Sequence, residues 1–180
     1  MKVTVGQINT TNGDIAGNIK KIVDAITKAK ADGSDLVVFP EVCTHGYTSQ
    51  DWFQDADIID SATEPLAEII PHTTGITAIV GTVRANDSRD GRRLYNSAAI
   101  IHDGELVGFA DKTLLPEYDV FDDPRYFEPA QHRRIFEVNG TKLGVVVCED
   151  FWNDKSFWTE RLYENDPTDE VVALGADVIV

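Results

Sequence analysis

The first 40 residues contain the pattern that restricts the fold most. Residues 2–7 alternate as in a β-strand, and residues 36–39 form a short apolar run typical of a buried strand. The apolar residues between them share one face of a helix: Ile15, Ile19, Ile22, Val23 and Ile26. A strand, a helix and a second strand in this order form a right-handed crossover with parallel strands. The start of the chain therefore predicts an α/β fold.

Local turn signals delimit the other elements. Asp14 is a suitable N-cap for the first helix, and Gly33 is a suitable stop. The dipeptides Asp103-Gly104 and Asn139-Gly140 are typical of tight hairpin turns. Strands are predicted at residues 76–83, 94–101, 105–110, 134–138, 142–147 and 176–180. Helical segments are predicted between residues 49 and 72, with a restart at Thr63 and Pro65, and after Asp166-Pro167.

The end of the chain bears on how many domains it contains. No repeat, low-complexity tract or flexible linker divides residues 1–180, so we interpret them as one domain. The predicted last strand runs to Val180 without a following turn. We therefore expect the sheet to continue in further residues, and the domain to be truncated at its C-terminus.

Composition excludes several classes of partner. The net charge of −15 disfavours nucleic acid and anionic membranes, which are bound through Lys and Arg. No apolar run approaches the roughly 20 residues that span a bilayer, and residues 1–7 lack the continuous apolar stretch that is typical of a signal peptide. Two cysteines are too few for a disulfide scaffold, so both are interpreted as free thiols of a cytoplasmic protein. The four histidines lack metal-ligand spacing, and no metal is predicted.

Three segments place a chemically useful residue where a predicted strand ends. Glu41 follows Pro40, Lys112 follows the strand at 105–110, and Cys148 follows an apolar run at 144–147. Ligands of α/β sheets bind at the carboxyl ends of strands, so these residues could share one crevice. A carboxylate can deprotonate a thiol, and an ammonium can lower the pKa of the thiol or stabilise an oxyanion. Together they could attack an amide or nitrile carbon.

Each of the three residues also has an ordinary structural interpretation. Glu41 could be a solvated turn residue, and Lys112 could pair with Asp111 at the end of its strand. Cys148 could be a packing residue, because free cysteine behaves mostly as a small buried hydrophobe. Cys43 is interpreted as a bystander rather than as a second nucleophile.

The same segments resemble the signature motifs of the nitrilase, or carbon-nitrogen hydrolase, superfamily. The resemblance rests on Phe39-Pro40-Glu41, on residues 112–118 and on Cys148-Glu149-Asp150, and the opening residues 5–9 match the first strand. Gly46-Tyr47, residues 120–127 and Phe151-Trp152 are similar to the glutaminase domains of glutamine-dependent NAD synthetases. The likeness covers nearly the whole chain in the same order.

This resemblance implies a fold, a reaction and roles for individual residues. The fold would be a four-layer αββα sandwich, incomplete at its C-terminus. Cys148 would be the nucleophile, Glu41 the general base and Lys112 the stabiliser of the tetrahedral intermediate. Tyr118, Tyr47 and Glu149 match positions associated with the glutamine pocket. The reaction would be hydrolysis of the glutamine side-chain amide through a Cys148 thioester, with no cofactor.

The ammonia would supply NAD synthesis from deamido-NAD, with ATP and Mg, on a synthetase domain of the same full-length protein. The Ser-Gly-Gly pyrophosphate loop of such a domain does not occur in these 180 residues, so the chain cannot carry out that step. Domains of this superfamily usually self-associate, so a homo-oligomer is expected. Glu117 and Asp119 depart from the Asn and Gly that commonly flank the tyrosine of the second motif. A chain of this length need not be active by itself.

Two other functions remain open from the sequence. One is a free-standing amidase or nitrilase that acts on another small amide or nitrile. The other is a non-catalytic assembly module, whose exposed sheet and acidic surface would bind other proteins.

Overall fold

A five-stranded β-sheet forms the larger half of the structure. The computed structural model describes residues 1–47, 49–88 and 90–180. The strands follow chain order across the sheet: β1 (Val3–Val5), β2 (Leu36–Val38), β3 (Thr77–Ala85), β4 (Leu94–His102) and β5 (Glu105–Asp111). The first three strands are parallel, and β3, β4 and β5 are antiparallel neighbours. The predicted parallel crossover at the start of the chain is therefore confirmed.

A smaller sheet packs against one face of the larger one. It contains β6 (Ile135–Val138), β7 (Thr141–Gly144) and β8 (Val178–Ile179), with β7 antiparallel to β6 and parallel to β8. Apolar side chains from both sheets form one buried cluster, which includes Leu36, Ile79, Ile100, Phe136 and Leu143. The inner faces of the two sheets therefore form a common core.

Helices cover the outer faces of both sheets. The helices are α1 (Ile15–Ala31), α2 (Ala56–Asp60), α3 (Glu64–Ile69), α4 (Asp123–Tyr126) and α5 (Pro167–Ala173). The predicted apolar stripe of α1 packs on the large sheet, where Ile22 and Ile26 contact a cluster that includes Val37. On the small sheet, a Cβ atom at Gly144 would lie 2.9 Å from a methyl group of Val171, so α5 approaches β7 closely. The order is helix, sheet, sheet, helix.

The predicted hairpins are present, and their turns have the backbone conformation that the sequence indicates. Asp103 and Gly104 have φ values of 49° and 82°, and Asn139 and Gly140 have values of 49° and 73°. Two successive positive φ angles characterise the primed turns that match the twist of the flanking strands. The first turn joins β4 to β5, and the second joins β6 to β7.

The strand before Cys148 is shorter than the sequence predicts. It ends at Gly144, not at Val147. Its antiparallel partner β6 begins at Ile135, opposite Gly144, so the three valines that follow have no partner on that side. Val146 still donates a backbone hydrogen bond to the carbonyl of Val180 at 2.9 Å. Apolar character predicted burial here, but strand length depends on the partner.

No helix within residues 1–47, 49–88 and 90–180 combines the length and the apolar character needed to cross a lipid bilayer.

Candidate active site

Glu41 lies in the turn that follows β2, close to the end of the parallel part of the sheet. Its Oε1 atom accepts a hydrogen bond from Lys112 Nζ at 2.7 Å and another from Asn96 Nδ2 at 2.6 Å. The residue after it, Val42, has a φ of 50°, which is uncommon for a β-branched residue. The backbone therefore takes a tight path here, and two donors hold one oxygen of the carboxylate.

Lys112 is fully buried directly after β5 and lies between two carboxylates. Its Nζ atom donates to Glu41 Oε1 and to Asp123 Oδ2, each at 2.7 Å. Burial by itself would lower the pKa of Lys112, but the negative charges of Glu41 and Asp123 outweigh it and raise the pKa above its usual value. Lys112 is therefore an ammonium at neutral pH. An ammonium has three N–H donors, and these two contacts use two of them.

The alternative partner of Lys112, Asp111, is engaged elsewhere. Arg84 Nε donates to Asp111 Oδ1 at 2.8 Å, and the hydroxyl of Ser97 donates to the same oxygen at 2.6 Å. Alternation along β5 places adjacent side chains on opposite faces, so Asp111 and Lys112 point in different directions. Pairing of Lys112 with Asp111 is therefore wrong.

Cys148 begins a short 3₁₀ turn, Cys148–Phe151, and is exposed. Its φ of 48° lies in the left-handed region, where a non-glycine residue is strained. Partial desolvation, followed by the charge of Glu41, raises the pKa of the thiol to about 11, and Lys112 offsets this only in part. At neutral pH the thiol is protonated and faces a carboxylate.

The second cysteine, in contrast, is not accessible to solvent. Cys43 is fully buried, and its Sγ donates to the backbone carbonyl of Gly81 at 3.3 Å. Burial raises the pKa of its thiol to about 12. Cys43 therefore lies in the core as a packing residue, whereas Cys148 is accessible.

Glu149 is buried next to the exposed cysteine. Tyr118 donates a hydroxyl hydrogen bond to Glu149 Oε2 at 2.7 Å, and Tyr163 donates one to Oε1 at 3.2 Å. The hydrogen bond to Glu149 is the main reason that the pKa of Tyr118 rises to about 12. Burial, followed by the charge of Glu149, also raises the pKa of Tyr163. Both tyrosines therefore remain neutral donors that orient the carboxylate.

Two separate cavities adjoin this pair of residues. Glu149 lines a cavity of about 440 Å³, a volume suited to a small molecule. Cys148 does not line it, but lines a second cavity of about 140 Å³ together with Glu41. The walls of the larger cavity are formed by Tyr118, Glu149, Trp152, Asn153, Trp158, Glu160, Leu162 and Tyr163. Cys148 and Glu149 are adjacent in the chain and thus border different cavities.

Tyr47 does not line the larger cavity. It borders a cavity of about 30 Å³ together with Phe121 and Asp123, and its ring lies 6.3 Å from that of Phe121. Burial, then the charges of Asp123 and Glu41, raises the pKa of Tyr47. The structure therefore brings Tyr118 and Glu149 together, and places Tyr47 on the Asp123 side of Lys112.

Asp123, Asn96 and Tyr163 were not singled out by the sequence analysis. Asp123 is buried at the start of α4, and burial raises its pKa although Lys112 partly opposes the shift. It lies in residues 120–127, a segment that carried the resemblance without any assigned role. Asn96 lies on β4, and only the pairing of β4 with β3 directs it to Glu41. Tyr163 had no sequence signal beyond its aromatic surroundings.

Within residues 1–47, 49–88 and 90–180, no three His, Cys, Asp or Glu side chains are grouped so that they could hold a metal ion. The lack of a metal site remains a prediction. His45 is fully buried outside this site, and its Nδ1 atom forms a hydrogen bond of 2.8 Å with Thr44 Oγ1.

Comparison with known proteins identifies the family to which the chain belongs. The sequence pattern that defines the family "Carbon-nitrogen hydrolase" matches residues 2–162. The chain belongs to the carbon-nitrogen hydrolase family. The superfamily predicted from the three motifs is thereby confirmed.

Curated relatives of this carbon-nitrogen hydrolase are glutamine-dependent NAD(+) synthetases. The protein of that name from Synechocystis is 37% identical over 184 residues, which cover 99% of this chain and 33% of the relative. The Thermotoga maritima protein is 37% identical over 155 residues, which cover 85% of this chain and 26% of the relative. The chain thus spans about a third or less of the length of these proteins.

Solved structures confirm the αββα fold. Glutamine-dependent NAD+ synthetase from Acinetobacter baumannii superposes with a TM-score of 0.83 at 30% identity, over 98% of this chain and 31% of that one. An amidase from Nesterenkonia sp. superposes with a TM-score of 0.71 at 19% identity, over 83% of this chain and 56% of that one. The second likeness concerns the fold alone. The chain is therefore a nitrilase-fold hydrolase that is similar to part of a ligase.

Proposed function

We propose that this carbon-nitrogen hydrolase cleaves the side-chain amide of glutamine to glutamate and ammonia through a thioester on Cys148. The observation that carries the proposal is the contact of Lys112 Nζ with Glu41 Oε1 at 2.7 Å, beside an exposed cysteine whose thiol faces Glu41. A base, a cation and a nucleophile can together hydrolyse an amide through a covalent intermediate. The relatives named glutamine-dependent NAD(+) synthetases support glutamine as the amide.

The first half of the reaction acylates Cys148. The pKa of about 11 keeps the thiol protonated, so attack requires transfer of its proton to Glu41. Glu41 Oε1 already accepts two hydrogen bonds, and the other carboxylate oxygen is the one available for that proton. The sulfur forms a bond to the amide carbon, and the carbonyl oxygen becomes an oxyanion. The third N–H of Lys112 and its positive charge stabilise the oxyanion.

Collapse of this intermediate breaks the carbon–nitrogen bond. The leaving nitrogen takes the proton that Glu41 holds and departs as ammonia, which leaves a thioester on Cys148. Glu41 then accepts a proton from water as the water attacks the thioester. The second tetrahedral intermediate expels the Cys148 sulfur, which takes back the proton that Glu41 holds as glutamate leaves. One carboxylate thus serves both halves, and Lys112 remains charged throughout.

Glu149 is the group that we assign to recognition of glutamine. Its carboxylate is buried, is held by the hydroxyls of Tyr118 and Tyr163, and borders the cavity of about 440 Å³. A buried carboxylate favours a ligand with a positive charge, which the α-ammonium of glutamine supplies. We also assign Tyr47 to substrate binding, at a place near Lys112 where its side chain faces Asp123.

The wider role follows from the relatives and is proposed on the same basis. Ammonia released here would supply ATP-dependent synthesis of NAD from deamido-NAD by a synthetase domain of the same protein. ATP, Mg and deamido-NAD belong to that domain, and the hydrolytic steps derived above need none of them. A cytoplasmic location and self-association into a homo-oligomer are further proposals.

The decisive experiment uses the protein encoded by the complete reading frame. Release of glutamate from glutamine is measured for the wild type, Cys148→Ala and Cys43→Ala. We expect loss of activity in Cys148→Ala alone, since Cys43 is buried away from solvent. A glutamine-like electrophile should add its mass to Cys148 and leave Cys43 unmodified. Glutamate release by Cys148→Ala would exclude the proposal.

Substrate comparison separates a glutaminase from a general amidase. The same wild-type protein is assayed with glutamine and with propionamide, which has a similar amide but no α-ammonium. A kcat/KM that is higher for glutamine supports the proposed recognition by Glu149. Equal values for both amides would instead indicate a free-standing amidase.

A further inference from the structure

Asp150 connects the two chain segments that carry Cys148 and Lys112. Its Oδ1 atom accepts backbone hydrogen bonds from Thr113 at 3.0 Å and Leu114 at 2.7 Å, directly after Lys112. Its Oδ2 atom accepts one from Val147 at 3.3 Å, directly before Cys148. The side chain is buried. One carboxylate therefore fixes the residue before the nucleophile and the residues after the lysine.

The backbone around Cys148 needs such support. A non-glycine residue at a φ of 48° persists only where its surroundings hold it, because the strained conformation costs on the order of 1–3 kcal/mol. The Asp150 backbone N–H donates to the carbonyl of Val147 at 3.1 Å, which closes the turn around Cys148. Thr168 Oγ1 donates to the carbonyl of Asp150 at 3.0 Å and holds the turn from α5.

We propose that Asp150 is a positioning residue, which sets the Cys148 sulfur at the correct distance from Glu41 and Lys112. It touches neither the substrate nor the reacting atoms, and it acts through the backbone of residues 113, 114 and 147. The proposal rests on the proposed function of Cys148 as nucleophile. Displacement of a reacting group by about 1 Å can reduce a rate about a hundredfold, so this clamp affects turnover more than binding.

The ionisation of Asp150 agrees with this geometry. Burial raises its pKa to about 6, although the backbone hydrogen bonds from Leu114, Val147 and Thr113 oppose the shift. At neutral pH the group is a carboxylate, which accepts hydrogen bonds through both oxygens. An asparagine in its place would present only one acceptor oxygen, and its NH₂ group would face backbone N–H donors.

The test compares Asp150→Asn with wild type in the protein from the complete reading frame. We expect kcat for glutamine to fall about tenfold to a hundredfold while KM stays within about twofold, because Glu149 and its cavity are unchanged. Asp14→Asn is the matched control, since Asp14 also accepts a backbone N–H, from Gly17 at 3.0 Å, but caps α1 far from the site. Its kcat should equal that of wild type.

A second variant covers the case in which Asp150→Asn does not fold. Thr168→Val keeps the carboxylate and removes only the hydrogen bond to the Asp150 carbonyl. It should lower kcat about twofold to fivefold with KM unchanged, as expected when one neutral hydrogen bond that supports the turn is lost.

The outcomes separate this inference from the proposed function. Wild-type kcat in a folded Asp150→Asn, or in Thr168→Val when the first variant is unfolded, overturns the positioning role and leaves the proposed function intact. A rise in KM at unchanged kcat also overturns it. Glutamate release by Cys148→Ala would overturn both the positioning role of Asp150 and the proposed function, because Cys148 would then not be the nucleophile.

Discussion

Asn96 and Glu41 lie 55 residues apart in the chain, yet the side-chain amide of Asn96 donates a hydrogen bond of 2.6 Å to Glu41 Oε1. The same oxygen accepts from Lys112 Nζ, so one donor holds it from β4 and the other from the residue that follows β5. The other carboxylate oxygen stays available to receive the proton of Cys148. In the proposed mechanism, β4 therefore selects which oxygen of Glu41 is the base.

Replacing Asn96 with alanine should reduce turnover without a large change in binding. Loss of one of its two anchors would let the Glu41 carboxylate rotate, and we expect kcat to fall about tenfold to a hundredfold with KM nearly constant. Steady-state kinetics of glutamine hydrolysis measure both. Asn18→Ala is the control, because Asn18 is also buried and hydrogen-bonded but lies on α1. Equal kcat values for wild type and Asn96→Ala would contradict the role of Asn96.

Lys112 should contribute to stability as well as to catalysis. Lys112→Met leaves two carboxylates, Glu41 and Asp123, without their ammonium, and removing one partner of a buried ion pair costs about 3–5 kcal/mol. Asp123→Asn is predicted to be destabilising as well. The double variant should lose less than the sum of the two, by about 0.5–3 kcal/mol. Denaturant unfolding of wild type, the two single variants and the double variant completes this double-mutant cycle. Strictly additive losses of unfolding free energy would show that Lys112 and Asp123 do not interact energetically.

The reactivity of Cys148 should follow the charge of Glu41. Because that charge helps to raise the pKa of the thiol to about 11, Glu41→Gln should lower this pKa. The rate of alkylation by iodoacetamide should then begin to rise at lower pH in Glu41→Gln than in wild type. Glutamine hydrolysis should nevertheless be lost, since no base remains. Mass spectrometry of the Cys148 peptide gives the alkylation rates, and an unchanged pH profile would show that Glu41 is not the dominant charge.

Glu149 should determine the preference for glutamine over simple amides. In Glu149→Gln, kcat/KM for glutamine is predicted to fall about a hundredfold or more, because the α-ammonium loses a buried charged partner. The kcat/KM for propionamide should change little, because that substrate has no ammonium. Glu160→Gln is a useful comparison, since Glu160 lines the same cavity but is exposed. Equal losses for both amides in Glu149→Gln would indicate damage to Cys148 instead.

His45 should make the protein less stable in mild acid. Burial lowers its pKa from 6.5 to about 4, so between these values the unfolded state binds the proton more readily than the folded state. The stabilisation is complete above pH 6.5 and decreases by about 3 kcal/mol as the pH falls to 4. Asp150 has the opposite effect between about pH 6 and pH 4, because its pKa is raised.

The contribution of His45 is therefore measured by comparing the pH dependence of the unfolding free energy in wild type and in His45→Gln. The free energy of unfolding of His45→Gln should decrease less than that of wild type between pH 6.5 and pH 4. His72→Gln, a change at an exposed histidine, serves as the control. Parallel curves for wild type and His45→Gln would show that His45 does not couple folding to protonation.

Much of the fold could be predicted because its signals are local. The apolar stripe of α1 and its Asp14 cap, the two hairpin dipeptides and the Asp166 cap of α5 all act over a few residues. The three motifs also identified Glu41, Lys112 and Cys148 as candidates, through their positions after strands and their resemblance to a family. Strand length was predicted less well at Val145 to Val147, because it depends on the register of the partner β6.

The sequence by itself thus determined the order of the elements, the turns, the family and the candidate residues. Only the tertiary structure decided which groups meet: Lys112 pairs with Asp123 instead of Asp111, Asn96 holds Glu41, and Asp150 joins the segments of Lys112 and Cys148. The physical reason is that turns and amphipathic periodicity arise between neighbours in the chain. Hydrogen bonds and the pKa values of buried groups arise between segments that only sheet pairing and core packing bring together.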